Sequence, residues 1–125
     1  MKFPLLLILN FLCFIGAQAE SCDAETGALA FKVCQACHTV KQDFSATLQG
    51  PSLRGLLGRK AGSLTSFSYS PAMQAADFVW TSENLNTFIH NPTTVIPWNG
   101  MPFGGIDVAE TRAEIVCYIA GYHEE

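Results

Sequence analysis

The residues best suited to chemistry lie in one short run, Cys34-Gln35-Ala36-Cys37-His38. Thiols at this spacing can form a redox dithiol, contribute to a zinc site or be alkylated by a planar cofactor. A redox dithiol sits at the start of a helix that follows a strand, and no strand pattern precedes Cys34. Zinc needs a second ligand pair at similar spacing, and the chain has none. The His directly after the second Cys points instead to covalent haem attachment. The two thiols would bind the haem vinyl groups as thioethers, and the adjacent imidazole would be held below the iron. The plainer reading, two buried thiols beside an incidental His, leaves the order of the five residues unexplained.

What such a haem does depends on the sixth iron ligand. His/Met ligation raises the potential and closes the iron, whereas an open position permits ligand binding or peroxide chemistry. Beyond the first residues the chain offers two thioethers, Met73 and Met101, with His90, His123 and Lys60 as outsiders. Met101 lies in Ile96-Pro97-Trp98-Asn99-Gly100-Met101-Pro102-Phe103-Gly104-Gly105, where prolines and glycines allow the irregular backbone that presents a side chain to a metal. Met73 sits beside a helix start and reads equally well as a core filler. His90 reads as an exposed surface residue, and His123 falls in the terminal tail. No distal His or Arg suited to peroxide cleavage stands beside the Met101 segment.

The elements that must position these groups read as helices. Asp23 is a candidate N-cap, Glu25 falls in the first turn, and Leu29 and Val33 stand at i, i+4. Gly27 inside this helix costs about 1 kcal/mol relative to Ala, so close crossing by another helix is expected there. Residues 39–80 are punctuated by Gly50-Pro51, Gly55, Gly58 and Gly62, which mark turns. Ser70-Pro71 has the form of a short helix start. Thr81 or Ser82 caps a helix whose Leu85, Phe88 and Ile89 share a face, and Asn91-Pro92 ends it. Asp107 with Glu110 forms an acidic variant of the capping box. Ile115, Tyr118, Ile119 and Tyr122 mark the last helix, with Gly121 near its end. There is no strand alternation and no internal repeat, so the expected class is all-α. Connections this long make sense if loops wrap a large flat cofactor, with Phe67, Tyr69, Trp80, Phe88 and Phe103 lining it.

The chain has 125 residues and 13.6 kDa, room for one domain. Hydrophobic residues make up 49% and charged residues 14%, which excludes a disordered chain. A formal charge of −4 and a pI near 5.2 remove the electrostatic case for binding nucleic acid or an anionic membrane surface. Met1-Lys2 precedes an apolar run from Leu5 to Ile15, broken at Asn10 and too short for the roughly 20 residues that cross a bilayer. Ala17-Gln18-Ala19 then places small residues before a cut at Glu20, the pattern of a cleaved secretory leader. Acylation of Cys13 is the weaker reading, because Leu12 stands where a small residue is expected. The expected organisation is a leader over 1–19 and one domain over 20–125, exported most plausibly to a bacterial periplasm. Lys2 is the only charge in the leader, so the remainder is one unit more negative than the whole chain.

Taken together, these residues resemble the class I cytochromes c of the mitochondrial and bacterial c2 type, from about Gly27 to Tyr118. Cys34-Gln35-Ala36-Cys37-His38-Thr39 is similar to the family's haem-binding segment. Gly50-Pro51-Ser52-Leu53-Arg54-Gly55-Leu56-Leu57-Gly58-Arg59-Lys60-Ala61-Gly62 is similar to the segment that follows it. The resemblance implies a fold of several short helices around one covalently bound haem c, with His38 and Met101 as iron ligands. It implies that the Pro51 carbonyl accepts from the His38 ring and that Arg59 lies near a haem propionate. Tyr69 and Trp80 would bond the propionates, and Asn99 would stand near a propionate where the family usually has Thr. Arg112, Ile115 and Tyr118 match its final helix, which crosses the first near Gly27. Because those helices cross in the family, Cys22 and Cys117 come within reach of a disulfide. The alternative is a free thiol at 22 and a small buried residue at 117.

The implied function is that of a monomeric one-electron carrier, not an enzyme. Its iron would cycle between two oxidation states with little change in geometry. Electrons would come from a reductase or dehydrogenase and pass to an oxidase or peroxidase. The rivals are a haem peroxidase or gas sensor with a displaceable Met, and a subunit docked permanently to a larger redox complex. Two departures stand out. Phe88 replaces a Tyr whose hydroxyl reaches the Met sulfur. Val33, Thr93, Gly100, Asp107 and Val108 occupy positions often held by Lys, so docking driven by lysines is not expected and an uncharged patch takes its place.

Overall fold

The computed structural model describes residues 22–41 and 48–122. The expected leader over 1–19 and His123 lie outside them. Five helices follow in chain order: α1 (Ala24–Phe31), α2 (Pro71–Ala75), α3 (Ser82–His90), α4 (Pro92–Val95) and α5 (Ala109–Ala120). Among the described residues the extended structure is limited to one short antiparallel pairing. There Gly58 N–H donates to the Trp80 carbonyl at 2.8 Å, Trp80 N–H to that of Arg59 at 2.9 Å, and Ala61 N–H to that of Phe78 at 2.9 Å. No described helix is long and apolar enough to cross a membrane.

The helix starts follow from local chemistry. The Asp23 carboxylate accepts the Thr26 N–H at 3.0 Å, satisfying one of the donors that a helix N-terminus leaves open. Ser70 does the same for Met73 at 3.1 Å, with Pro71 supplying a preset φ at the first helical position. Thr81 and Asn84 cap α3 reciprocally, at 3.2 and 2.8 Å.

Two helices form the frame. α1 crosses α5 at Gly27, where an added Cβ would lie 3.0 Å from the Cβ of Tyr118 and 3.4 Å from the Glu114 carbonyl. The glycine in mid-helix therefore has a packing reason that outweighs its helix cost. One turn later Phe31, 1% exposed, brings its ring within 5.1 Å of Tyr118. From α5, Ile115, Val116 and Ile119 are buried, and α3 adds Leu85, Phe88 and Ile89 to the same core. Cys22, just ahead of α1, is joined to Cys117 in α5, with Cα atoms 5.7 Å apart. The terminal helices are thus packed together and also covalently tied.

The structure corrects two expectations and extends a third. Leu29 and Val33 do not form the inner face of the first helix, since both are more than half exposed. The helix ends at Phe31, and the buried pair is Gly27 with Phe31 at the same i, i+4 spacing. Nor does Asp107 cap α5. The N-cap is Val108, which has no side chain to offer, and the Asp107 carboxylate lies 3.7 Å from His90 Nε2 instead. Arg112 holds the entry to α5 by donating to the Ile106 and Asp107 carbonyls at 2.8 Å and to Asn86 Oδ1 at 3.1 Å. Asn91-Pro92 ends α3 but also begins α4, because Asn91 Oδ1 accepts the Thr94 N–H and Pro92 occupies the first turn.

Candidate haem-binding site

The chain leaves α1 in tight turns that carry the Cys-x-x-Cys-His run. Cys37 and His38 N–H both donate to the Cys34 carbonyl, at 3.1 and 2.9 Å, which holds the run compact. The two thiols are not joined to each other. Burial, and to a smaller degree the neighbouring Cys37, push the Cys34 thiol up to about 11. A redox dithiol needs a thiolate, so this environment disfavours that chemistry.

His38 is fixed from two sides. Its Nδ1 lies 2.7 Å from the Pro51 carbonyl oxygen, and since a carbonyl can only accept, Nδ1 carries the proton. Nε2 is left with its lone pair, the form that ligates a metal. The other side is set by Gly50. An added Cβ there would sit 2.4 Å from His38 Cε1 and 2.7 Å from Nδ1, so the imidazole rests directly on glycine backbone. Gly50 N–H donates to the Cys37 carbonyl at 2.9 Å, and Leu53 N–H to that of Thr39 at 2.7 Å, which stitches the Gly50–Leu53 segment to the attachment run. Burial lowers the His38 pKa below its ordinary value, and the bond to Pro51 opposes part of that shift.

A second group gathers Arg59, Tyr69 and Trp80. Arg59 donates to the Ser52 and Arg54 carbonyls at 2.9 and 3.1 Å, and its backbone pairs with that of Trp80. Burial raises the Tyr69 pKa, and the Arg59 charge opposes the rise. Trp80 is buried between Phe78 and Phe88, with ring centroids at 4.9 and 5.2 Å. Phe67 lies edge-on to Tyr69 at 4.9 Å.

The third group is the Met101 loop. Met101 is partly buried against the core, while Met73 is part of the core itself, as a filler would be. Asn99 is buried and bonded at both ends of its amide, with Met101 N–H donating to Oδ1 at 2.6 Å and Nδ2 donating to the Ile96 carbonyl at 3.0 Å. Ser70 Oγ donates to the Asn99 carbonyl at 2.8 Å. Gly105, at φ 109°, lets the returning chain pass so close to α3 that an added Cβ would fall on the His90 carbonyl. His90 is itself exposed, as expected.

Gly50 and Ser70 were missed as site residues by sequence reasoning. Gly50 reads there as a turn and Ser70 as a helix cap, and neither partner is near in sequence. The donor set nevertheless fits a c-type haem: two thiols free of disulfide just ahead of an imidazole whose free nitrogen is the ligating one, and a thioether on an irregular loop.

Comparison with known proteins gives the same direction. The chain is 42% identical to a cytochrome c type-1 of Ascaris suum over 98 residues, which cover 78% of this chain and 86% of the other. It is 40% identical to a cytochrome c 2.1 of Caenorhabditis elegans over 98 residues, with the same shares of each chain. To a cytochrome c2 of Rhodoplanes tepidamans it is 34% identical over 100 residues, 80% of this chain and 92% of that one. No family model matches the chain.

Proposed function

This chain belongs to the class I cytochrome c family, and we propose that it is an exported one-electron carrier with His/Met-ligated iron. The family carries one covalently bound haem c and transfers electrons with redox partners. In this reading Cys34 and Cys37 would hold the haem as thioethers, and His38 and Met101 would supply the protein ligands to its iron. Bound there, the group supplies an iron that accepts and releases one electron. The observation that carries the reading is the His38 seat, in which Pro51 fixes the tautomer at 2.7 Å and Gly50 fixes the plane of the ring.

The remaining residues have supporting roles. The Pro51 carbonyl raises the basicity of the ligating nitrogen. Arg59, Tyr69 and Trp80 offer donors to the carboxylates of the cofactor, and Asn99 orders the loop that carries Met101. Phe88 has no hydroxyl to direct at the sulfur. The secretory pattern over 1–19 directs the domain to an oxidising compartment, which in a bacterial cell is the periplasm.

Docking is read from charge. Between His90 and Asp107 no residue is ionisable, and this stretch exposes Val95 and Trp98, the latter 90% accessible. Transient contact with a reductase or dehydrogenase donor and an oxidase or peroxidase acceptor is proposed to run through this uncharged segment. Electron-transfer rates with a neutral partner then change little with salt, and rates with a strongly acidic partner rise as salt screens repulsion. Stopped-flow reduction from low to high ionic strength tests this, and a steep fall against an acidic acceptor contradicts it.

Ligation is tested on the ferric protein, which is expected to be low spin with a near-infrared Fe–S charge-transfer band. Met101→Ala removes the band and opens the iron to added ligands. A wild-type ferric protein that is high spin, or that takes up cyanide at diffusion-like rates, overturns the carrier reading.

A further inference from the structure

We propose that Asn99 and Ser70 are positioning residues that clamp the Met101 loop and so control how firmly the thioether is held toward the iron. The inference rests on the reading of Met101 as an axial ligand and adds to it the source of the loop's rigidity. The backbone ahead of Met101 is held in one unfavourable conformation, at Trp98, and in a left-handed one that glycine accepts freely, at Gly100. Trp98 has φ 62° and Gly100 has φ 84°, on either side of Asn99. A bulky L-residue in the left-handed region is uncommon and strained, and such strain persists only where the surroundings over-determine it. The Trp98 side chain is 90% exposed, so its ring supplies little of that restraint.

Asn99 can supply it. It is 6% exposed and is the one polar residue in the buried core among the described residues. Its side chain bonds forward to the Met101 N–H at 2.6 Å and backward to the Ile96 carbonyl at 3.0 Å, bracketing both positive-φ residues. Its own carbonyl accepts from Ser70 Oγ at 2.8 Å, and that oxygen in turn accepts the Met73 N–H at 3.1 Å. The loop is therefore tied through one buried amide and one hydroxyl to the N-terminus of α2, which is rooted in the core by Met73. Gly100 reinforces the close approach, since an added Cβ there would lie 3.2 Å from Ser70 Cβ. An amide of this geometry, bonded to backbone at both ends, acts on the Met101 main chain and needs no contact with the iron.

The test uses the ferric protein with its haem and imidazole as the competing ligand. Asn99→Ala removes both side-chain bonds, and imidazole is expected to bind about 10- to 100-fold more tightly than to wild type, the range that two lost hydrogen bonds would give. The near-infrared band weakens in parallel. Ser70→Ala, which leaves Asn99 in place, is expected to give about a 3- to 10-fold increase, the effect of the one bond of the two it removes that reaches the loop, and it serves if Asn99→Ala does not fold. Met101→Ala sets the upper limit for imidazole affinity. A purely structural role for these residues would lower the guanidinium midpoint while leaving imidazole affinity within twofold of wild type and the band intact. That result overturns the clamp alone. A wild type without the band, with imidazole affinity equal to that of Met101→Ala, overturns the ligation reading and the clamp with it.

Discussion

Gly50→Ala places a methyl group where the His38 ring now lies. The added carbon would sit 2.4 Å from Cε1, whereas carbon atoms meet comfortably near about 3.5 Å. The ring must therefore retreat by about 1 Å, or the Gly50-Pro51 backbone must move by as much. Either shift stretches the 2.7 Å contact with the Pro51 carbonyl beyond hydrogen-bond range. Overpacking of this kind costs about 1–3 kcal/mol, and the lost bond adds about 0.5–1.5 kcal/mol. Reduced freedom of the unfolded chain returns about 0.4–1 kcal/mol, leaving a net loss of roughly 2–3 kcal/mol. The assay is guanidinium unfolding of the haem-loaded protein followed by tryptophan fluorescence, where a loss of that size lowers the midpoint by roughly 0.5–1 M. Gly104→Ala is the control, because an added Cβ there meets nothing within 4 Å and the residue has no positive φ. If the two variants unfold at the same midpoint, the seating of His38 on Gly50 is wrong.

Two other perturbations act away from the site. Replacing Cys22 and Cys117 together by Ser frees a loop with a sequence separation of 95, for which chain entropy sets a destabilisation of about 4–5 kcal/mol. The guanidinium midpoint is expected to fall by about 1 M or more, and the wild-type protein should take up no alkylating label at these positions without reductant; two added labels by intact mass would contradict the bridge. Hydrogen bonds from the Thr26 side chain, then from its N–H, hold the Asp23 carboxyl below its ordinary 3.8. A depressed folded-state pKa contributes stability that is present above the unfolded value and lost as pH falls through the folded one. The deficit of Asp23→Ala, measured by urea unfolding, should therefore be full at pH 7 and shrink below 3.8, and a deficit that does not change with pH would remove Asp23 as a charged cap.

The groups proposed to bear the chemistry were legible because their signals are local. Cys34, Cys37 and His38 stand in one run, and Met101 lies in a Pro- and Gly-rich segment that excludes regular helix. The caps at Asp23, Ser70 and Thr81 were legible for the same reason, since a cap bonds to a backbone N–H two or three residues away. The glycine in mid-helix at 27 announced a close crossing. The partner in that crossing, Tyr118, came only from the resemblance to a known family.

Tertiary structure decided what depends on distant partners. Periodicity alone could not choose between Leu29 with Val33 and Gly27 with Phe31 as the inner face of α1, because both pairs have helical spacing and only the position of α5 selects one. Asp107 has the composition of a cap, yet its carboxylate faces His90 while Arg112 holds the entry to α5. The seat of His38 on Gly50 and the hold of Ser70 on Asn99 join residues 12 and 29 apart in the chain. Hydrogen bonds and steric contacts act over a few ångströms of space. The sequence determines them directly only where the backbone itself brings the partners within that reach, and everywhere else the packing of the helices has to do so.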